Sequence, residues 1–300
     1  MSYTEKKKRG GSAYYYRVRS YREGDKVKKR RKYLGKDLDP SELNIAEKEA
    51  DRELYILKGL LSQSEMDELE RIKTEYEAKS KISRKNRYET FVSRFTHDST
   101  AIEGNTLTLR ETAGLLFEGI TPSSKEMREL NEVINHKEAF DHIISYKGDI
   151  SRKFIFDLHR LVVKNTLSKD LEDQIGAYRK VQVYIRGVEW TPSAPEDVPS
   201  DIKELLSWYT RNEDELHPLV IASYFHTGFE TIHPFVDGNG RVGRLLMNFI
   251  LHRNGFPMIN IPLARKLDYY ECLERGQVEG DLRPLVKFLY DIISASDLRF

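Results

Sequence analysis

The twelve residues His233-Pro-Phe-Val-Asp237-Gly-Asn-Gly240-Arg-Val-Gly-Arg244 run from a loop into a helix. From Arg241 onward, Val242, Leu245, Leu246, Phe249 and Ile250 recur at i, i+3, i+4, i+7 and i+8, the core stripe of an amphipathic helix. Arg241, Arg244 and Asn248 share another face, so both arginines stand near the start of that helix. A helix N-terminus presents unpaired N–H groups and partial positive charge, which favours anionic oxygens there. Gly238 and Gly240 flank Asn239 in a turn where the backbone must approach such oxygens closely. Asp237 is a hard oxygen ligand suited to Mg²⁺. His233, on the other side of the turn, carries the side chain best matched to accepting a proton near neutral pH. The segment reads as a phosphate site with a base beside it.

Gly238-x-Gly240-x-x-Gly243 also fits the dinucleotide-binding pattern, but that pattern needs a preceding buried strand and an acidic residue about 20 positions on. The flanking segments read as helices, and position 263 is Leu.

The stretch matches every fixed position of HPFxxGNGRxxR, and on these residues, with Gly228-Phe-Glu-Thr-Ile-His233 and Arg244-Leu-Leu-Met-Asn248, the chain resembles the Fic family. The resemblance implies a mainly α fold, a Fic-type helical bundle with a β-hairpin flap. It also implies transfer of AMP from ATP to a Ser, Thr or Tyr hydroxyl of a target protein. His233 would be the general base. Asp237 would hold Mg²⁺, Gly238, Asn239 and Gly240 would form the anion hole, and Arg241 and Arg244 would bind the β- and γ-phosphates. Gly240 separates the pattern from the related Doc toxins, which resemble a version with Lys there and phosphorylate instead.

Residues 181–185 alternate apolar and polar between Gly176 and Gly187, the pattern of a strand. They resemble the Fic flap, with Val183, Tyr184 and Ile185 beside the nucleotide and an open edge for main-chain pairing with a target peptide. An ordinary hairpin without ligand contact is the alternative. Tyr269, Tyr270 and Gln277 resemble nucleoside-contacting positions, although tyrosines on a helix more often face a core.

Ser99-Thr-Ala-Ile-Glu103-Gly-Asn105 is the second informative segment. Phe91, Phe95 and Ile102 mark a helix, and Gly104-Asn105 a stop. Glu103 then lies at the helix end, where the dipole disfavours an anion by about 0.3–1 kcal/mol unless a cation offsets it. A nearby lysine would serve. The segment also resembles the inhibitory motif of Fic proteins with an N-terminal brake, in which Glu103 would pair with Arg244 and obstruct the γ-phosphate. The same carboxylate could instead position water for removing AMP.

At 300 residues, 39% hydrophobic and 32% charged, the chain is expected to form one large globular domain with additions. No apolar run approaches the roughly 18 residues of a membrane span. The single Cys272 excludes an intrachain disulfide, and the reading is a cytoplasmic protein with a core thiol. His226 reads as a packing residue rather than a zinc ligand.

Near-neutral charge conceals a division. Residues 1–36 hold 14 Lys and Arg against 3 acids, a net +11 in a chain whose total is +1. Tyr14 to Tyr21 and Val27 to Tyr33 alternate about Glu23-Gly-Asp25 as a small N-terminal β-hairpin arm. Interleaved rings and cations suit DNA or RNA, while a solvated tail resting on an acidic body is the bland alternative.

Residues 37–90 read as a helical spacer, starting at Pro40-Ser41, broken near Ser62-Gln-Ser64, with Leu54, Ile56, Leu57, Leu60 and Leu61 along its first helix; a homodimer contact is one use for it. The inhibitory helix and its followers occupy 91–149, and the Fic core 150–296. Helices are expected near 109–118, 124–146, 151–166, 196–211, 216–231, 241–253, 265–276 and 282–296. A second functional class, a nucleic-acid-binding regulator whose core only senses nucleotide, leaves His233 without a purpose.

Overall fold

Strands rich in Tyr, Lys and Arg start the fold. In the computed structural model, which describes residues 2–9, 11–23, 26–53, 57–78, 84–188 and 190–295, the chain divides into two units, 1–59 and 60–300. The first holds a three-stranded antiparallel sheet in the order β1 (Ser2–Arg9), β2 (Ser12–Glu23), β3 (Lys26–Lys36), followed by α1 (Pro40–Glu53). The expected hairpin is β2–β3, and β1 is an additional edge strand. Gly24 and Asp25 of its turn lie outside the described residues. Tyr15 faces Gly35 and Tyr16 faces Tyr33, a bulge that leaves Leu34 as the extra residue. Asp39 starts α1, accepting from the N–H groups of Ser41 and Glu42 at 2.8 and 2.9 Å.

The second unit is helical: α2 (Gln63–Glu77), α3 (Arg84–Ile102), α4 (Leu109–Ala113), α5 (Met127–Ser145), α6 (Arg152–Val163), α7 (Val198–Asn212), α8 (Pro218–Ile232), α9 (Asn239–Arg253), α10 (Lys266–Glu274) and α11 (Arg283–Ser294). The helices expected from residue 109 onward all form. Two of them, α4 and α10, run on into single π-helical turns at Gly114–Glu118 and Arg275–Glu279. Ser62 caps α2 in a reciprocal box with Glu65. Leu57, Leu60 and Leu61 are not on a helix as expected. They are buried in the turn before α2, and Leu54 and Ile56 lie outside the described residues.

The core is centred on α8 and α9, which pack on each other; α7 and α11 cover α8, and α3, α5 and α6 cover α9. The predicted stripe Val242, Leu245, Leu246, Phe249 and Ile250 is at most 1% exposed. Phe249 meets Phe154 of α6 at a ring separation of 4.8 Å, and Phe154 stacks on Tyr146 at 4.1 Å. Such burial on every side fixes where α9 begins, and with it the loop that precedes it. Cys272, expected in the core, is only half-buried.

One expected element does not form. Val181 to Ile185 belong to no strand, with a turn at Arg186-Gly187. Among the described residues their alternation has no partner strand to pair with, and side chains bind the carbonyls instead: Arg179 that of Val181, and Gln182 that of Val183.

Candidate active site

Helix α8 ends at His233, whose φ of 52° and ψ of 61° put it in the left-handed region, an uncommon conformation for a residue with a side chain. Two groups hold it there. Its N–H donates to Phe229 O at 2.9 Å, and its carbonyl accepts from Arg179 Nε at 2.8 Å. The chain then turns back through Asn239, whose side chain accepts from Phe235 N–H at 2.9 Å and donates to Phe235 O at 2.8 Å. Gly238 (φ 84°) leads into α9; a Cβ there would stand 2.9 Å from Val163 Cγ1.

His159 supports the loop from below. Its ring lies 3.7 Å from that of Phe235, nearly parallel at 3°. Its Nδ1 accepts from Gly176 N–H at 2.9 Å, so the proton of the neutral ring is on Nε2, which faces Asp237 O at 3.1 Å. Burial holds its pKa down, to about 4, which keeps that tautomer uncharged.

The His233 imidazole is also held neutral near pH 7. Burial lowers its pKa to about 4, against an opposing pull from the main chain of Glu230. The Glu230 carboxyl, 3.7 Å from His233 Nδ1, is buried and pushed up to about 8. Near pH 7 the imidazole is therefore unprotonated, with an uncharged carboxyl beside it.

Asp237 Oδ1 accepts from Gly238 N–H at 2.6 Å and from Arg241 Nη2 at 3.0 Å, and its Oδ2 is 3.5 Å from Arg128 Nη2. Its side chain is 34% exposed, so an oxygen ligand faces the site. Among the described residues no three His, Cys, Asp or Glu gather to hold a metal. One carboxylate completed by substrate phosphates is a donor set that suits Mg²⁺ rather than zinc.

Arg241 and Arg244 stand in the first two turns of α9, at 2% and 1% side-chain exposure. Arg241 lies between Asp237 and Glu132, whose Oε1 is 3.8 Å away. Glu132 also accepts from Asn105 Nδ2 at 2.9 Å and Arg128 Nε at 3.2 Å, linking the segment after α3 to the loop. Arg244 is held by the end of α3: Nε donates to Ser99 Oγ at 3.0 Å, and Nη2 to Ser99 O and Glu103 Oε1, both at 2.8 Å. Burial works against the Arg244 charge, but Glu103, Tyr269 and Glu230 together outweigh it and the guanidinium pKa stands above its usual value. A lysine completes the helix end, with Lys266 Nζ donating to Ile102 O at 2.6 Å. Both cations considered for Glu103 and its helix are thus present, and the arginine takes the carboxylate.

Arg179 ties the loop to the flap. Besides His233 O, it donates to Val181 O at 2.9 Å, to Ser193 O and to Ile232 O at 3.4 Å, and its own N–H bonds Pro234 O at 2.9 Å. Tyr184 is 79% exposed, while Val183 and Ile185 are half-buried. Tyr269 lies in the core, its hydroxyl 2.6 Å from His226 Nε2. Tyr270 is 38% exposed beneath Lys266 Nζ, and Gln277 is half-buried on the π-helical turn after α10. Sequence reasoning did not find Arg128, Glu132, His159 or Glu230; their roles come only from packing.

Comparison with known proteins gives the same outline. The Fic/DOC family model matches residues 149–251. Protein adenylyltransferase Fic of Nematostella vectensis is 37% identical over 198 residues, 64% of this chain and 45% of that protein. Protein adenylyltransferase fic-1 of Caenorhabditis elegans is 34% identical over 212 residues, 69% of this chain and 40% of the relative. The chain thus spans less than half the length of these curated relatives. A Fic domain containing signaling protein from Bacteroides thetaiotaomicron superposes with a TM-score of 0.71 at 28% identity, covering 77% of this chain and 94% of that one. Fic-1 from C. elegans gives 0.68 at 29% identity, covering 87% and 76%. Through residues 149–251, the chain belongs to the Fic/DOC family.

Proposed function

We propose that the chain is a protein adenylyltransferase that moves AMP from ATP onto a Ser, Thr or Tyr hydroxyl of a target protein. The observation that carries this reading is a neutral, partly exposed imidazole at the entrance to a helix N-terminus that also holds two buried arginines. His233 Nε2 takes the hydroxyl proton as the oxygen bonds to the α-phosphorus. The bond from that phosphorus to the α–β bridging oxygen breaks, and pyrophosphate leaves. The N–H groups at the start of α9 and the Arg241 guanidinium meet the negative charge as it builds. Asp237 would hold Mg²⁺, which when bound neutralises charge between the α- and β-phosphates. Catalysis on this account is positioning and electrostatics, with no covalent enzyme intermediate.

Glu103 restrains the reaction. Ser99 and Glu103 engage three of the five Arg244 N–H donors, and a γ-phosphate pairing with that guanidinium would have to displace the Glu103 carboxylate. The test uses the Glu103→Gly variant with ATP radiolabelled in the α-phosphate and a cell lysate. Label should appear on protein, and adding His233→Ala should reduce it by about 10²–10⁴-fold. Label transferred equally well without the imidazole would reject the mechanism.

A further inference from the structure

The adenylyl-transfer reading leaves the basic N-terminal sheet without a task. Side chains alternate along β2, so Tyr14, Tyr16 and Val18 share one face and Tyr15 and Arg17 the other. The second face is occupied by α1. Arg17 donates to Asp51 at 2.8 and 2.6 Å and lies 3.7 Å from Glu47, while Thr4, opposite Arg17, donates to Glu47 at 2.5 Å. The acids of α1 thus neutralise that side.

The first face is different. Tyr3 stands opposite Val18, Lys7 and Lys36 opposite Tyr14, and Tyr33 opposite Tyr16. The Tyr33 ring lies 5.4 Å from that of Tyr16 and 6.4 Å from that of Tyr14. Lys7 Nζ is 5.5 Å from the Tyr16 ring and Lys36 Nζ 6.0 Å from the Tyr14 ring. Tyr33 is 50% and Tyr3 43% exposed. In this sheet, Lys28-Lys-Arg-Arg-Lys32 adds five more cations to β3, within an arm of net charge +11.

We infer that this tyrosine face of the β1–β2–β3 sheet binds single-stranded nucleic acid. The charge is complementary to a phosphate backbone and would draw it to the sheet by releasing its counterions. Charge alone would serve a duplex equally well. Val18 on this face is buried, and the exposed rings of Tyr3 and Tyr33 distinguish the two, because only unpaired bases offer their π-faces for stacking on them. Clustered tyrosines bordered by lysines supply both the stacking and the backbone neutralisation, without base-specific hydrogen bonds.

The full chain is titrated, by fluorescence anisotropy, against labelled oligothymidylate and oligouridylate of about 16 nucleotides and against a blunt DNA duplex of the same length. Either single strand should bind roughly tenfold or more tightly than the duplex, with affinity falling steeply as salt rises. Tyr33→Ala should weaken single-strand binding roughly tenfold and Tyr33→Phe should preserve it. Tyr3→Ala, exposed on the same face, repeats the test should Tyr33→Ala disturb the sheet. Equal or tighter duplex binding, indifference to loss of the rings, or no binding to any of the three would overturn the inference.

Discussion

The loop from His233 to Arg244 and the flap from Val181 to Ile185 meet at Arg179, yet they are built on opposite principles. The loop is over-determined: Asn239 closes it through two hydrogen bonds, His159 stacks beneath it, and its two arginines are almost wholly buried. The flap has no strand pairing, carries Val181 and Tyr184 at 54% and 79% exposure, and has its carbonyls bound by two side chains, the Arg179 guanidinium and the Gln182 amide. Rigidity is thus concentrated where charge would develop in a reaction, and adaptability where a protein target would lie. One arginine transmits position from the first to the second.

The sharpest way to break this contrast is to remove that arginine. Arg179 is 2% exposed and donates to four carbonyls, so Arg179→Ala should cost about 3–5 kcal/mol of stability, read by denaturant unfolding. Loss near zero would mean that the flap and loop are held independently. Glu103→Gly should have an intermediate effect of a distinct kind. It strips the carboxylate from buried Arg244, costing about 1–3 kcal/mol because Glu103 is partly solvated. ATP should then raise the melting temperature more in the variant than in the wild type, since phosphate replaces the lost anion. Equal nucleotide stabilisation would contradict a shared arginine. Tyr184→Ala, on an exposed side chain, should change stability by under about 0.5 kcal/mol. A larger loss would show the flap to be more tightly packed than its exposure implies.

The linkage of Glu230 gives a further, pH-dependent check. Its pKa in the fold, about 8, lies above the ordinary carboxyl value, so the folded protein binds the extra proton. The associated stability is complete below the unfolded pKa and is lost as pH rises towards 8. Glu230→Gln should flatten that part of the stability profile. An unchanged slope between pH 5 and 8 would show that another group is responsible.

What the sequence disclosed follows the same division. The α9 stripe and both arginines were legible because helical periodicity and a helix start are local properties. The contact between Glu103 and Arg244 required the family resemblance, since nothing in residue spacing brings positions so far apart together. Val181, Val183 and Ile185 alternate as a strand would, but a strand needs a partner, and pairing is not written in one segment. Strand β1 escaped notice for the converse reason. Glu5-Lys-Lys-Lys-Arg9 shows no apolar alternation, and edge strands commonly carry such charge. Arg128, Glu132, His159 and Glu230 left no signal, because a side chain that steadies a site from another helix has no fixed offset from it.

Gly240 carries a consequence for how this chain can vary. A Cβ at that position would stand 2.2 Å from Glu103 Oε1 and 3.0 Å from Arg244 Nη1. Residues 103 and 240 therefore compete for one volume, although they come from separate helices. A side chain at 240 would push the Glu103 carboxylate off Arg244, so enlarging this position would act as removing the glutamate does.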